Sequence, residues 1–210
     1  MNLQCLLQIL LPRSCVFCGA GCAAQMPHIC AGCLDDLPWR ARLVARHEAP
    51  FEVMAAIFDY AFPIDAALKA LKFRRRLDYV PAFATLLARA MRELPDDIDA
   101  LLPVPLHWRR HLQRGYNQAV ELSRALHSLT GLPMLCNIRR CRATPYQSGL
   151  AAEARSANLR AAFAAQATVP SRHVLIVDDV ITTGSTCREL ANSALAAGAK
   201  KVSVLAVART

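Results

Sequence analysis

The chain contains a short apolar run followed by two aspartates and a turn of small hydroxyl residues. Residues 174–177 are apolar and rich in β-branched side chains, which predicts a buried strand. Asp178 and Asp179 follow directly, and residues 182–186 read Thr-Thr-Gly-Ser-Thr. Residues 188–197 then have a helical composition. The segment therefore predicts a strand, a hydroxyl-rich turn and a helix, the repeating unit of an open α/β sheet.

This predicted turn has the chemistry of a phosphate-binding site. Backbone N–H groups and the positive end of the helix dipole favour an anion there, and hydroxyl groups add donors. The predicted phosphate ligands are Thr182, Thr183, Gly184, Ser185 and Thr186. Asp178 and Asp179 lie where open α/β sheets bind ligands, so they could accept hydrogen bonds from sugar hydroxyls and place a Mg²⁺ ion. A plain strand–turn–helix with acidic caps would share part of this pattern.

The turn is not a Walker loop, which needs Gly-x-x-x-x-Gly-Lys, and it is not the glycine-rich turn of a dinucleotide-binding fold. The segment resembles the 5-phosphoribosyl-1-pyrophosphate (PRPP) signature of type I phosphoribosyltransferases. It has the same unbroken order of an apolar strand, Asp-Asp, Thr-Thr-Gly and a second hydroxyl pair. That resemblance makes Asp178 and Asp179 the candidate catalytic residues.

A second segment also predicts an anion site. A strand over 98–104 leads into an extended turn at Val104, Pro105 and Leu106, and an Arg-Gly pair follows near a helix start. The alternative is a polar helix cap. The resemblance to type I phosphoribosyltransferases implies that a set of residues in and near these turns binds the diphosphate or closes over it: Val104, Pro105, Leu106, Arg114, Gly115, Asn117, Gln118, Lys69, Lys72, Arg142, Gln147 and Arg155.

The charge of the chain suits an anionic ligand. The net charge is +9, and 21 arginines stand against 4 lysines. Arginine binds phosphate in a bidentate manner, so either a diphosphate substrate or a nucleic acid is a candidate partner. The polar, arginine-rich residues 139–160 could form a mobile loop over an active site or contact nucleic acid. A hydrophobic content of 54% with 20% charged residues excludes a disordered chain.

Five of the nine cysteines lie between residues 15 and 33. Cys15, Cys18, Cys30 and Cys33 form two Cys-x-x-Cys pairs separated by eleven residues. This spacing predicts a structural zinc site with four thiolate ligands and no open position for water. A redox pair or an iron site remains an alternative. Cys22 and His28 lie between the pairs and could compete as ligands, but Cys22 is expected to be a spare thiol. The remaining cysteines, Cys5, Cys136, Cys141 and Cys187, are expected to be small core residues.

The N-terminal segment predicts an amphipathic helix, since five leucines between residues 3 and 11 recur at helical spacing. The segment lacks the basic start and cleavage site of a signal peptide, and no apolar run is long enough to span a membrane. We therefore expect a cytoplasmic protein. Two domains are predicted: a helix with a zinc ribbon over 1–48, and an α/β domain over 49–210. Patterns elsewhere predict strands over 51–62 and 201–207, and helices over 64–73, 79–93 and 114–129.

Motifs along nearly the whole chain resemble the ComF family, the competence-associated and GntX-like phosphoribosyltransferase-fold proteins of bacteria. They comprise the Cys-x-x-Cys pairs, Leu-Lys-Ala-Leu-Lys-Phe at 68–73, Pro-Val-Pro-Leu at 103–106, Arg-Gly-Tyr-Asn-Gln-Ala at 114–119, Arg-x-Thr-x-x-Gln at 142–147, Arg-x-x-Asn-Leu at 155–159 and the 177–186 loop.

The resemblance implies a small zinc ribbon joined to a type I phosphoribosyltransferase domain, which is Rossmann-like with a mostly parallel sheet. It also implies displacement of diphosphate from PRPP with Mg²⁺, and a link to natural transformation or the use of external DNA. Two other functions stay open: a non-enzymatic accessory that binds single-stranded DNA and a competence helicase, and a PRPP sensor without turnover. The acceptor and the oligomeric state are not defined by the sequence.

Overall fold

The structure is a computed structural model that describes residues 14–41, 49–108, 112, 114–141 and 162–210. The predicted N-terminal helix, Cys5, Arg142, Gln147 and Arg155 lie outside the described residues. Within the described ranges, no helix has the length and apolar character needed to cross a bilayer.

The central element is a parallel sheet of four strands in the order β1, β6, β5, β2. Its strands are β1 (Met54–Asp59), β2 (Ala100–Pro103), β5 (His173–Ile181) and β6 (Lys201–Arg209). A separate antiparallel pair joins β3 (Ile138–Arg140) to β4 (Phe163–Ala165). Pro103 of β2 lies opposite Val177 of β5, so both strands end at the same edge of the sheet.

Helices connect the strands, as parallel pairing requires. They are α1 (Ala31–Asp35), α2 (Ile64–Phe73), α3 (Tyr79–Ala90), α4 (Gln118–Thr130) and α5 (Ser185–Ala196), and a 3₁₀ turn (Met91–Glu93) extends α3. The predicted α/β class with a mostly parallel sheet is confirmed.

The core has one layer on each face of the sheet. Alternate strand residues such as Leu175 and Val177 pack with Phe83 of α3 and Leu122 of α4, and their neighbours such as Ile176 pack under α5 and the β3–β4 pair. Because both faces are covered, residues 174–177 are fully buried and carry no polar alternation.

The cysteine-bearing unit packs on this α/β body. Cys15, Ile29 and Leu37 are buried in the same cluster as α2 and α3. Trp39 pairs with Phe58 at the β1 edge of the sheet, and their rings are 4.7 Å apart. The unit therefore shares a core with the sheet, and a division at residue 48 stays a prediction.

The structure corrects several sequence-based boundaries. The helix predicted from 114 begins only at Gln118, because Gly115 has φ +79° and the Asn117 side chain caps the helix. The strand predicted over 51–62 is confined to Met54–Asp59, and the one over 98–104 to Ala100–Pro103.

The prediction of a core position is wrong for two of the cysteines. Cys136 and Cys141 are exposed, whereas Cys187 is buried as expected. Cys141 lies one residue beyond β3, a short strand in which Ile138 is buried and Arg139 is exposed.

Candidate functional site

The two aspartates lie in the last residues of β5 rather than beyond it. Pairing with β6 continues to Ile181, so the strand backbone holds both carboxylates at the ligand-binding edge of the sheet. The backbone N–H of Asp179 donates to Oδ1 of Asp178 at 2.8 Å, and the N–H of Val180 donates to Oδ1 of Asp179 at 2.9 Å. These bonds fix the orientation of both side chains.

Lys72, at the end of α2, supplies the counter-charge to this pair. Its Nζ lies 2.7 Å from Oδ2 of Asp179, and the two side chains are 23% and 10% exposed. Burial lowers the pKa of Lys72, but the charge of Asp179 and the hydrogen bond to it outweigh burial, so the pKa is raised. Burial raises the pKa of Asp178 well above its usual value, and the charge of Asp179 raises it further.

The turn after β5 has the predicted hydroxyl cluster. Thr183 Oγ1 and Ser185 Oγ are 2.7 Å apart, and the Ser185 N–H donates to Thr183 Oγ1 at 3.4 Å. Thr182 and Thr183 are exposed at the start of α5, a helix of 12 residues. An exposed hydroxyl turn at a helix N-terminus can donate several hydrogen bonds to a phosphate.

Gly184 is required at this turn by its backbone conformation. It has φ +74°, and a Cβ built there would lie 3.2 Å from Cε of Met54. A side chain would therefore meet β1 beneath the turn as well as strain the backbone.

The extended turn after β2 is fastened beside β5. The N–H of Val104 donates to the carbonyl of Val177 at 3.0 Å. The Asn117 amide donates to the Val104 carbonyl at 2.9 Å, and its oxygen accepts from the N–H of Ala119 at 3.0 Å. Asn117 thus joins the Val104–Pro105–Leu106 turn to the N-terminus of α4.

Arg114 and Gln118 are the polar side chains beside this second turn. Arg114 Nη1 donates to Gln118 Oε1 at 3.3 Å, and the Arg114 guanidinium lies 5.3 Å from the ring centroid of Phe73. Gln118 is 2% exposed, and its Nε2 has no hydrogen-bond partner among the described residues. The charge of Arg114 lowers the pKa of Lys72, so the second turn and the carboxylate pair are close enough to interact electrostatically.

The structure separates some predicted site residues from these groups. Lys69 pairs with Asp65 at 2.7 Å on the side of α2 that faces Tyr60.

The sequence analysis did not identify Arg75 as a site residue. Its Nε donates to the Arg114 carbonyl at 3.4 Å. The signal that could have found it is the run of three consecutive arginines at residues 74–76.

The four predicted metal ligands come together. The Sγ atoms of Cys15, Cys18, Cys30 and Cys33 all lie within 4.8 Å of one another, and those of Cys18 and Cys30 are 3.6 Å apart. A tetrahedral zinc site with Zn–S bonds of about 2.3 Å needs sulfur atoms about 3.8 Å apart. The four thiols can therefore hold a metal ion of this kind.

Local backbone turns place these thiols. The N–H of Cys15 donates to Ala20 at 2.7 Å, and the N–H of Cys33 points at Cys30 Sγ from 3.5 Å. Burial raises the pKa of Cys15, but N–H donors from Cys30, Cys18 and Phe17 lower it to about 6, which favours a thiolate. Cys22 is not part of this group of four, as predicted.

Comparison with known proteins gives the following likenesses. The chain is 37% identical over 203 residues to the DNA utilization protein YhgH of Escherichia coli K12. The aligned region covers 90% of this chain and 82% of YhgH. It is 33% identical over 207 residues to competence protein F of Haemophilus influenzae. That aligned region covers 90% of this chain and 89% of competence protein F. No family model matches the chain.

Among solved structures, a purine phosphoribosyltransferase from Pyrococcus horikoshii is similar at 18% identity and a TM-score of 0.36. The match covers 62% of this chain and 82% of that one.

Proposed function

Since this chain belongs to the family of the DNA utilization and competence F proteins (the ComF family), we propose that it is a PRPP-dependent phosphoribosyltransferase linked to the use of external DNA. The observation that carries the proposal is the end of β5. There, a carboxylate pair neutralised by Lys72 precedes an exposed hydroxyl turn at a helix N-terminus. The names of its relatives support the link to DNA.

The turn after β5 would hold the 5-phosphate of PRPP. Its donors would be the hydroxyl groups of Thr182, Thr183, Ser185 and Thr186 and backbone N–H groups of the first turn of α5. Gly184 keeps the turn compact enough for the backbone to face the phosphate.

Asp178 and Asp179 would hold the ribose hydroxyls. Both side chains are fixed by backbone N–H groups, so their remaining oxygen lone pairs are oriented for acceptance. Carboxylate oxygens are also the ligands that Mg²⁺ prefers, so the pair fits that ion. When bound, Mg²⁺ would neutralise part of the charge on the departing diphosphate.

Lys72, Arg114 and the N-terminus of α4 would bind the diphosphate. Arg114 offers planar donors beside the buried Gln118 amide, and the Val104–Pro105–Leu106 turn is held next to them by Asn117. Positive charge from two helices thus faces the position in which the leaving group gains negative charge.

The reaction forms a bond between a nitrogen nucleophile and C1 of the ribose and breaks the bond from C1 to the diphosphate oxygen. The diphosphate leaves with the bonding electron pair, and the nitrogen then loses its proton. Because the transition state has oxocarbenium character, catalysis consists mainly of holding the two reactants in line and stabilising charge.

Two measurements test this function. PRPP with Mg²⁺ should raise the melting temperature of the purified protein more than an oligonucleotide of equal concentration does. A panel of nucleobases and other nitrogen acceptors should then reveal one that releases diphosphate. Binding without release for any acceptor would indicate a PRPP sensor, and no PRPP binding at all would refute both.

The cysteine site is proposed to hold structural zinc. Four thiol ligands leave no position for water, so the ion would stabilise the N-terminal unit rather than take part in the reaction.

A second candidate function is the binding of single-stranded DNA, because aromatic and basic groups are exposed together. Phe73 is 70% exposed with Arg114 against its ring, and Trp108 is 59% exposed. Exposed rings flanked by arginines can stack bases while the arginines contact phosphates. Affinity should then fall by about 0.7 log unit per contact for each log unit of salt. A folded, metal-loaded protein that binds no oligonucleotide at low salt would exclude this function, and with it the proposed helicase-associated role.

A further inference from the structure

Arg75 has a backbone conformation that arginine rarely adopts. Its φ is +54°, and no other described residue except glycine has a positive φ. The left-handed conformation costs about 1–2 kcal/mol for a residue with a Cβ atom. Such outliers persist where surrounding contacts enforce them, and they cluster at binding sites.

The contacts of Arg75 explain what this conformation achieves. Its guanidinium lies against the bare Cα of Gly115, since a Cβ built there would be 2.1 Å from Nη2. Its Nε donates to the Arg114 carbonyl at 3.4 Å. The turn at Arg75 therefore folds its side chain back onto the Arg114–Gly115 segment, 39 positions further along the chain.

Two of the three basic residues at this place form no ion pair with a described residue. Lys72 has one carboxylate partner, while Arg75 and Arg114 have no ion pair among the described residues. The neighbouring Arg76, by contrast, is paired with Asp78 at 2.6 Å. The guanidinium groups of Arg75 and Arg114 therefore keep charge that can stabilise a bound anion.

A buried amide independently supports an anion site at this place. Gln118 is 2% exposed at the start of α4, where Arg114 binds its Oε1. Its Nε2 has no hydrogen-bond partner among the residues that the structure describes. Buried donors without partners are costly, and an anion at this helix N-terminus would satisfy Nε2.

We propose that Arg75 is a further binding residue for the diphosphate group of PRPP, acting with Arg114 and the Gln118 amide across the bare Cα of Gly115. The proposal rests on the function proposed above and assigns a specific contact to its leaving group. Gly115 is then needed because any side chain would displace the Arg75 guanidinium.

The test compares three ligands, PRPP with Mg²⁺, inorganic diphosphate and ribose 5-phosphate, by titration calorimetry. Arg75→Gln removes the charge, and Arg75→Gly also relieves the backbone strain. Both should weaken PRPP and diphosphate by about tenfold, the effect of one charge-assisted hydrogen bond. Ribose 5-phosphate affinity should change less than about twofold. Arg74→Gln is the matched control, since it removes an adjacent charge and should change none of the three affinities.

A melting temperature of Arg75→Gly at or above that of the parent shows that its lost binding is not a folding defect. Equal PRPP affinity in the parent and both variants overturns the role of Arg75 and leaves the transferase function intact. Equal weakening of all three ligands overturns it as well, because the residue would then be structural. A parent that binds diphosphate through Arg75 but not PRPP refutes the transferase function and keeps the anion site, whereas binding of neither refutes both.

Discussion

Replacing Asp178 and Asp179 together by asparagine removes both carboxyl groups at the end of β5 and keeps the size of both side chains. If both carboxylates hold the ribose and its metal ion, two charge-assisted hydrogen bonds are lost. At about 1.5–3 kcal/mol each, the loss is about 3–6 kcal/mol. Because about 1.4 kcal/mol corresponds to a tenfold change, PRPP affinity should fall at least about a hundredfold.

The single variants should differ in stability, because only Asp179 is paired. Asp179→Asn leaves the Lys72 ammonium without its partner at 2.7 Å, in a pair that is mostly buried. Breaking an ion pair costs about 3–5 kcal/mol in the interior and up to about 1 kcal/mol at the surface, so about 1–3 kcal/mol is expected here. Asp178→Asn should not destabilise the fold, since burial and the charge of Asp179 already disfavour its ionised form.

Asp65→Asn is the matched control. It removes a carboxylate that is also 2.7 Å from a lysine, Lys69, but that pair lies away from the proposed site. Its effect on stability should be within about 0.5 kcal/mol, and PRPP binding should not change. Titration calorimetry with PRPP and Mg²⁺, together with urea denaturation, measures both quantities. Equal PRPP affinity in the double variant and the parent would mean that the end of β5 is only a structural turn.

Three further outcomes are expected. Purified protein should carry about one zinc ion per chain, and Cys18→Ser should lose it and expose the N-terminal unit to protease, whereas Cys136→Ser should keep it; elemental analysis that finds no metal in undialysed protein would refute the site. Lys201 and His173 lower the pKa of Asp97 to about 2, so its ionised form stabilises the fold above about pH 4 and this stabilisation is lost as the pH falls through about 2. Asp97→Asn should therefore be less stable than the parent near pH 6 and approach it near pH 2 in urea denaturation, and a constant difference would contradict the linkage. Gly184→Val should abolish PRPP binding and lower the melting temperature, because it meets Met54 and strains the turn; unchanged calorimetric binding would show that the turn does not bind the phosphate.

The sequence alone was sufficient for features that are local along the chain. The strand over 174–177, the turn at 182–186 and each Cys-x-x-Cys pair place their residues within a few positions of one another. Short-range sterics and hydrogen bonding therefore determine their geometry. The helix α2 was predicted at its observed bounds for the same reason, since its apolar residues recur at helical spacing.

Tertiary structure decided which distant groups meet. Lys69 and Lys72 are both basic residues of α2, and the pattern gave no reason to prefer one. Packing of that helix against the sheet directs Lys72 to Asp179 and leaves Lys69 with Asp65. Arg75 reaches Gly115 because the chain turns sharply after α2. That turn requires a positive φ at Arg75, which the identity of the residue does not predict. Such contacts depend on how helices lie across the sheet, and that arrangement is set by the whole core rather than by neighbouring residues.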